Sequence, residues 1–155
     1  MDPFNHSLSS YVAEGHFYLE EHRKAIKFYT QALKESPYNP NYWVNRAMAY
    51  SKLEMNDKAA KDLDMALKIN PDYILALTNK AVMYFNSKDY DAAMEILFQI
   101  LEKNPRGGDA GKVNYMLGMI YLNRNQPGEA CPYLKEALNN GFPQAQTFYD
   151  KYCKK

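Results

Sequence analysis

Residues 39–71 read NPNYWVNRAMAYSKLEMNDKAAKDLDMALKINP, and this stretch decides the fold. Asn39 is placed to cap a helix. Pro40 suits the first helical turn, where its missing N–H costs nothing. Trp43, Ala47 and Tyr50 then mark one face at helical spacing. The chain turns near Leu53-Glu54-Met55, and Asn56 is placed to cap a second helix. Ala59, Leu63 and Ala66 give that helix a stripe at i, i+4 and i+7. Pro71 stops it, because proline lacks the N–H a helix needs and clashes with the preceding turn. The stretch predicts two short helices packed together, with Ala where they approach closely and Tyr or Leu where a hole must be filled.

The arrangement recurs along the chain. Pro37, Pro71 and Pro105 are 34 residues apart, as are Ala25, Ala59 and Ala93, and Ala13, Ala47 and Ala81. Tyr50 and Tyr84 keep the interval. A fourth copy is shifted by 37: Gly118, Tyr121, Ala130, Leu134 and Ala137 answer Ala81, Tyr84, Ala93, Leu97 and Ile100. The extra residues fall at Arg106-Gly107-Gly108-Asp109-Ala110, which has a loop-like composition. Several residue classes sharing one interval signify structural repeats. Past the fourth copy, Gly141 suits a helix end and Pro143 a helix start. Ala145, Phe148, Tyr149 and Tyr152 predict a capping helix over residues 143–153 that covers the last repeat.

The 155 residues are read as one domain. Lys and Arg number 19 against 18 Asp and Glu, so no basic footprint points to nucleic acid. No polybasic patch points to a membrane surface, and no apolar run approaches a membrane span. The start, Met1-Asp2-Pro3-Phe4-Asn5-His6, lacks the basic and apolar segments of a secretory signal. Its first four residues read as an expression scar, in which case the natural start, and a removed signal, would lie outside this sequence.

Catalytic motifs are missing: the sequence has no Gly-rich phosphate loop, no G-x-S-x-G and no H-E-x-x-H. His16 and His22 are off the spacing that puts two metal ligands on one helix face, so surface or packing roles are expected. Glu20-Glu21 and the pair Asp62 and Asp64 are expected to face solvent beside Lys24, Lys58 and Lys61. No cofactor and no metal is expected, and no enzymatic activity.

The whole pattern resembles the tetratricopeptide repeat family. Trp43, Ala47, Tyr50, Ala59, Leu63, Ala66 and Pro71 occupy its signature slots. The first unit departs, with Ser9 in the Trp slot and His16 in the Tyr slot. Repeats are expected at about 6–39, 40–73, 74–107 and 111–144. The resemblance implies an all-α, right-handed superhelix of antiparallel helix pairs, with a concave face built from the first helix of each pair.

The inner positions follow from the repeat register. Repeat one offers Ser7, Ser10, Tyr11, Glu14, Phe17 and Tyr18. Repeat two offers Asn41, Val44, Asn45, Met48, Ser51 and Lys52. Repeat three offers Leu75, Thr78, Asn79, Val82, Phe85 and Asn86. Repeat four offers Lys112, Tyr115, Met116, Met119, Leu122 and Asn123. Only Glu14, Lys52 and Lys112 among them are charged, which favours a binding face over a merely solvated one. Family members that grip a C-terminal carboxylate do so with Lys, Asn and Arg. The matching slots here hold Ser10 and Glu14, Asn45, then Leu75 and Asn79. One repeat on, they hold Val44 and Met48, Asn79, then Lys112 and Met116. Neither window assembles the cations, so a heat-shock-protein tail is not the expected ligand. Asn45 and Asn79 instead form a two-rung ladder suited to a peptide backbone.

Cys131 and Cys153 flank Gly141-Phe142 symmetrically and come level if the two helices run antiparallel. A disulfide is then within reach, and Cys-paired helices occur in the related Sel1-like repeats. The competing reading is two small buried thiols in a reducing cytosol. A bond would go with a periplasmic or extracellular protein, free thiols with a cytoplasmic one. The leading functional expectation is an interaction module that binds a peptide or helical segment in its groove. The alternatives are a secretion-type chaperone for hydrophobic client segments and a self-assembling adaptor whose Tyr149 and Tyr152 edge stacks on another copy.

Overall fold

The computed structural model describes residues 7–106 and 108–154. Met1–His6, and with them the expression-scar reading, lie outside the described residues. Helices come in pairs: α1 (Leu8–Tyr18) with α2 (His22–Glu35), α3 (Pro40–Lys52) with α4 (Asn56–Ile69), α5 (Ile74–Asn86) with α6 (Tyr90–Lys103), and α7 (Ala110–Asn123) with α8 (Pro127–Asn139). A last helix, α9 (Gln146–Tyr152), follows them. No strand occurs among the described residues, so the fold class is all-α, of repeated helix pairs.

The turn inside each pair is the same device. Glu20, Glu54, Lys88 and Asn125 all have φ between 57° and 63°. The next residue's N–H reaches back over the turn: Glu21 to the His16 carbonyl at 2.9 Å, Met55 to Tyr50 at 3.0 Å, Asp89 to Tyr84 at 2.9 Å, Gln126 to Tyr121 at 2.9 Å. These are Schellman ends, which satisfy carbonyls the helix leaves orphaned. Asn39 caps α3 as expected, its Oδ1 accepting from the Asn41 N–H at 3.0 Å. Asn56 does not cap α4: it is the first helical residue, and Met55 holds the cap position without a side-chain bond.

The chain divides into two compact units, Met1–Asn79 and Lys80–Lys155. In the first, α2 packs on both α1 and α3, and α3 on α4. Ala13, Ala25, Tyr29 and Ala49 form one buried cluster, and Ala32, Leu33 and Tyr42 another. An ion pair crosses this core. Arg46 donates from Nε and Nη2 to both Asp62 oxygens at 2.7 and 2.8 Å, and from Nη1 to the Thr30 hydroxyl at 3.0 Å. Its guanidinium lies 5.0 Å from the Trp43 ring centroid. Asp62, expected at the surface, is 4% exposed. The reason is its place beside Leu63 on the face α4 turns inward.

In the second unit α7 packs on α6 and α8, and α8 on α9. A Cβ on Gly118 would stand 2.8 Å from the Leu134 side chain, so only glycine permits this approach of α7 and α8. Gly141 ends α8 with φ 75°, and the Phe142 N–H reaches the Ala137 carbonyl at 2.9 Å. The cap then begins with a 3-10 turn, Pro143–Ala145, so its α-helix is shorter than the expected 143–153. Ala145, Phe148 and Tyr149 join the cluster of Ala130, Leu134 and Ala137. Tyr152 does not, being 39% exposed; Cys153 takes the next place in that cluster. Cys131 and Cys153 are joined in a disulfide with their Cα atoms 5.5 Å apart.

Candidate functional site

Five of the expected inner residues, Phe17 among them, come together in the first unit. Glu14 and Tyr18 lie one turn apart on α1, and Asn45 and Met48 lie one turn apart on α3. With Phe17 of α1 and Tyr29 of α2 they line a pocket of about 60 Å³. Helical spacing explains the grouping, since residues three and four apart share a face. Tyr18 stands at the rim, 81% exposed, and Tyr29 at the base, 2% exposed. Tyr29 was missed because it belongs to a second helix; the available signal was a large residue in a hole-filling slot. Burial raises the Tyr29 phenol pKa, and the negative charge of Glu14 and then the neighbouring Tyr18 raise it further.

The polar groups at this face differ in their freedom. The Asn45 amide makes no hydrogen bond among the described residues. Asn79 donates one N–H to the Leu75 carbonyl at 2.7 Å, and Asn123 one to Met119 at 2.8 Å. The two expected rungs are therefore unequal: Asn45 is open, while Asn79 is half committed to its own helix. Glu14 has no ion-pair partner among the described residues.

Several expected contacts are corrected. Val44 is 0% exposed and Met116 6%, and Ser10 and Thr78 are likewise buried, so none of the four presents a surface. α3 packs on both α2 and α4, and α7 on both α6 and α8. Helices held on two sides keep only a narrow open strip, and Val44 and Met116 fall outside it. Tyr115 packs against the cap, its ring centroid 5.0 Å from Phe142 and 5.9 Å from Phe148. Tyr11, Lys52, Asn86 and Asn123 are exposed, while Val82, Lys112 and Met119 are half-buried.

His16 and His22 pack against aromatic rings, His22 with its centroid 5.2 Å from that of Phe17. His16 stacks on Phe28 with centroids 5.3 Å apart, and its Nδ1 lies 2.5 Å from Glu21. Lys24 also pairs with Glu21, and these two partners, Lys24 foremost, lower the Glu21 carboxyl pKa. Among the described residues no three His, Cys, Asp or Glu side chains gather as a metal set, and no helix is long and apolar enough to cross a membrane.

Known proteins match this architecture. A tetratricopeptide repeat profile matches residues 40–73, and a second of the same description matches 74–105 and 111–140. The heat-shock protein cognate co-chaperone sgt12 of Aspergillus fumigatus is 39% identical over 89 residues, 57% of this chain and 26% of that protein. The chain thus spans about a quarter of that relative's length. The solved Sgt2 TPR domain from Aspergillus fumigatus is 30% identical, with a TM-score of 0.67, over 77% of this chain and 79% of that one. The first TPR of Spaghetti (RPAP3), solved bound to the HSP90 peptide SRMEEVD, shares the fold at 24% identity and a TM-score of 0.60, over 68% of this chain and 87% of that one. The repeat interval, the paired helices and these matches agree: the chain belongs to the tetratricopeptide repeat family and is a scaffold for protein–protein interaction.

Proposed function

We propose that the chain holds an extended or helical segment of a partner protein against α1 and α3, the first helices of its first two pairs, and that it does not grip a terminal carboxylate. The observation that carries this reading is the pocket between α1 and α3. Where a carboxylate would need cations, it offers Glu14, Asn45, Met48 and aromatic rings. An incoming carboxylate meets a like charge there. The window one repeat on, Val44, Met48, Asn79, Lys112 and Met116, holds a single basic residue in its sequence, Lys112. The partner segment carries apolar anchors and few charges, since Met48 and the exposed Tyr11 and Tyr18 offer adaptable, amphipathic contact. The reading is non-enzymatic, supported by the lack of catalytic motifs in the sequence. The Cys131–Cys153 bond supports work in oxidising surroundings, periplasmic or extracellular.

The test is fluorescence anisotropy with two probes. One is labelled SRMEEVD with a free C-terminus; the other is a decamer selected on the wild type from an N-acetylated, C-amidated library. The decamer should bind and lose at least about tenfold in affinity to Asn45→Arg, while SRMEEVD should show a Kd no tighter than about 1 mM. Micromolar binding of SRMEEVD would restore the tail-receptor reading. Equal decamer binding by wild type and Asn45→Arg would move the site off this face.

A further inference from the structure

Among the described residues, the lining of the pocket between α1 and α3 carries one full charge, Glu14, and no counterion. We propose that it receives a basic side chain, lysine or arginine, from the bound segment; this inference rests on the peptide-binding reading above.

The lining argues for that guest and against the others. Glu14 supplies a carboxylate with no ion-pair partner among the described residues. Lys52 lies one turn beyond Met48 on α3, is exposed and does not pair with it. Phe17, Tyr18 and Tyr29 supply aromatic rings, and an aromatic ring attracts a cation placed over its face. Asn45 supplies an amide oxygen with no intramolecular donor. Met48 and the Tyr18 ring supply an apolar wall for an aliphatic stem. The volume, about 60 Å³, suits the end group of a side chain rather than a whole ligand.

The competing guests each fail on one term. A leucine or methionine tip would strip water from Glu14 and give it no partner, and an unpaired desolvated charge is costly. An aspartate or glutamate would set two carboxylates together. A guanidinium or ammonium satisfies the carboxylate, the amide oxygen and the rings at once. The field of Glu14 reaches the pocket floor, as the raised phenol pKa of Tyr29, chiefly a burial effect, also reflects in its second cause.

The experiment uses a positional-scanning library of N-acetylated, C-amidated decamers against the full chain, which removes every free terminus as a source of charge. Three proteins are compared: wild type, Glu14→Gln and Glu14→Lys. Glu14 is exposed at the pocket edge, so the variants should fold, which circular dichroism checks. The wild type should favour Lys or Arg at one position by about tenfold, Glu14→Gln should lose that preference while still binding, and Glu14→Lys should turn it towards Asp or Glu. Peptide binding with no basic preference in the wild type overturns the inference and leaves the peptide-binding reading standing. So does a basic preference that survives in Glu14→Gln. Failure of the folded wild type to bind any decamer overturns both.

Discussion

Asp62 holds the most informative side chain that the sequence concealed. Its neighbours Lys58, Lys61 and Asp64 suggest a solvated face. Yet Ala59, Asp62, Leu63 and Ala66 fall at i, i+3, i+4 and i+7, which is a buried stripe with a carboxylate in it. Arg46 lies likewise between Trp43 and Tyr50. The signal was a charge on an apolar period, and its partner could only be found in three dimensions. The side chains are 13% and 6% exposed, so breaking the pair leaves a buried charge without compensation. Asp62→Ala should lower unfolding free energy by roughly 3–5 kcal/mol, read from urea denaturation. The double variant Arg46→Met/Asp62→Leu should recover most of that loss, because apolar replacement of a buried pair is often neutral. A full-size loss in the double variant would show that the hydrogen bond to Thr30 and the Trp43 stacking matter more than the pair.

Helix hairpins were legible as elements, but their turns were not. The position with φ near 60° recurs at Glu20, Glu54, Lys88 and Asn125, spaced like the repeats themselves. Sequence reading looks for glycine at such sites, and only Gly141 obeys. The other turns carry a left-handed penalty of about 1–2 kcal/mol per residue, least at Asn, and are held in place by the helices on either side. The contrast makes a clean test in the α3–α4 hairpin. Glu54→Gly should raise stability by about 0.5–1 kcal/mol despite the looser unfolded chain, and Glu54→Val should lower it by about 1–2 kcal/mol. Thermal melts of the three proteins decide it. A Gly variant no more stable than wild type would mean that the Glu54 side chain itself contributes to the turn. Register also explains the errors at the binding face. Counting positions along α3 and α7 puts Val44, Met116 and Tyr115 among the expected contacts, but packing on two neighbours buries Val44 and Met116, and the cap claims Tyr115.

Across the whole chain, the interval of 34 and its slip to 37 locate the helix pairs unaided, because spacing survives where single residues vary. The pocket was half legible: its α1 and α3 residues follow from the repeat register, but its floor, Tyr29, comes from another helix and its unpaired charge emerges only once neighbours are known. At α9 a covalent link adds to packing. α9 has seven residues, well short of the ~12–15 an isolated helix needs even to be marginal. Its burial rests on Ala145, Phe148 and Tyr149, and the Cys131–Cys153 bond holds it to α8 across a separation of 22 residues. Closing a loop of that length is worth about 3 kcal/mol by restricting the unfolded chain. Reduction, or Cys131→Ser/Cys153→Ser, should therefore lower the stability of the Lys80–Lys155 unit by about 3 kcal/mol and open α9 to hydrogen exchange first. Amides of α1 to α3 should keep their protection, and the peptide binding proposed at the Glu14 pocket should persist. Exchange measured by mass spectrometry with and without reductant separates the outcomes. Unchanged protection of α9 after reduction would mean that Ala145, Phe148 and Tyr149 hold the cap by packing alone, and that the disulfide is not what secures this end of the repeat array.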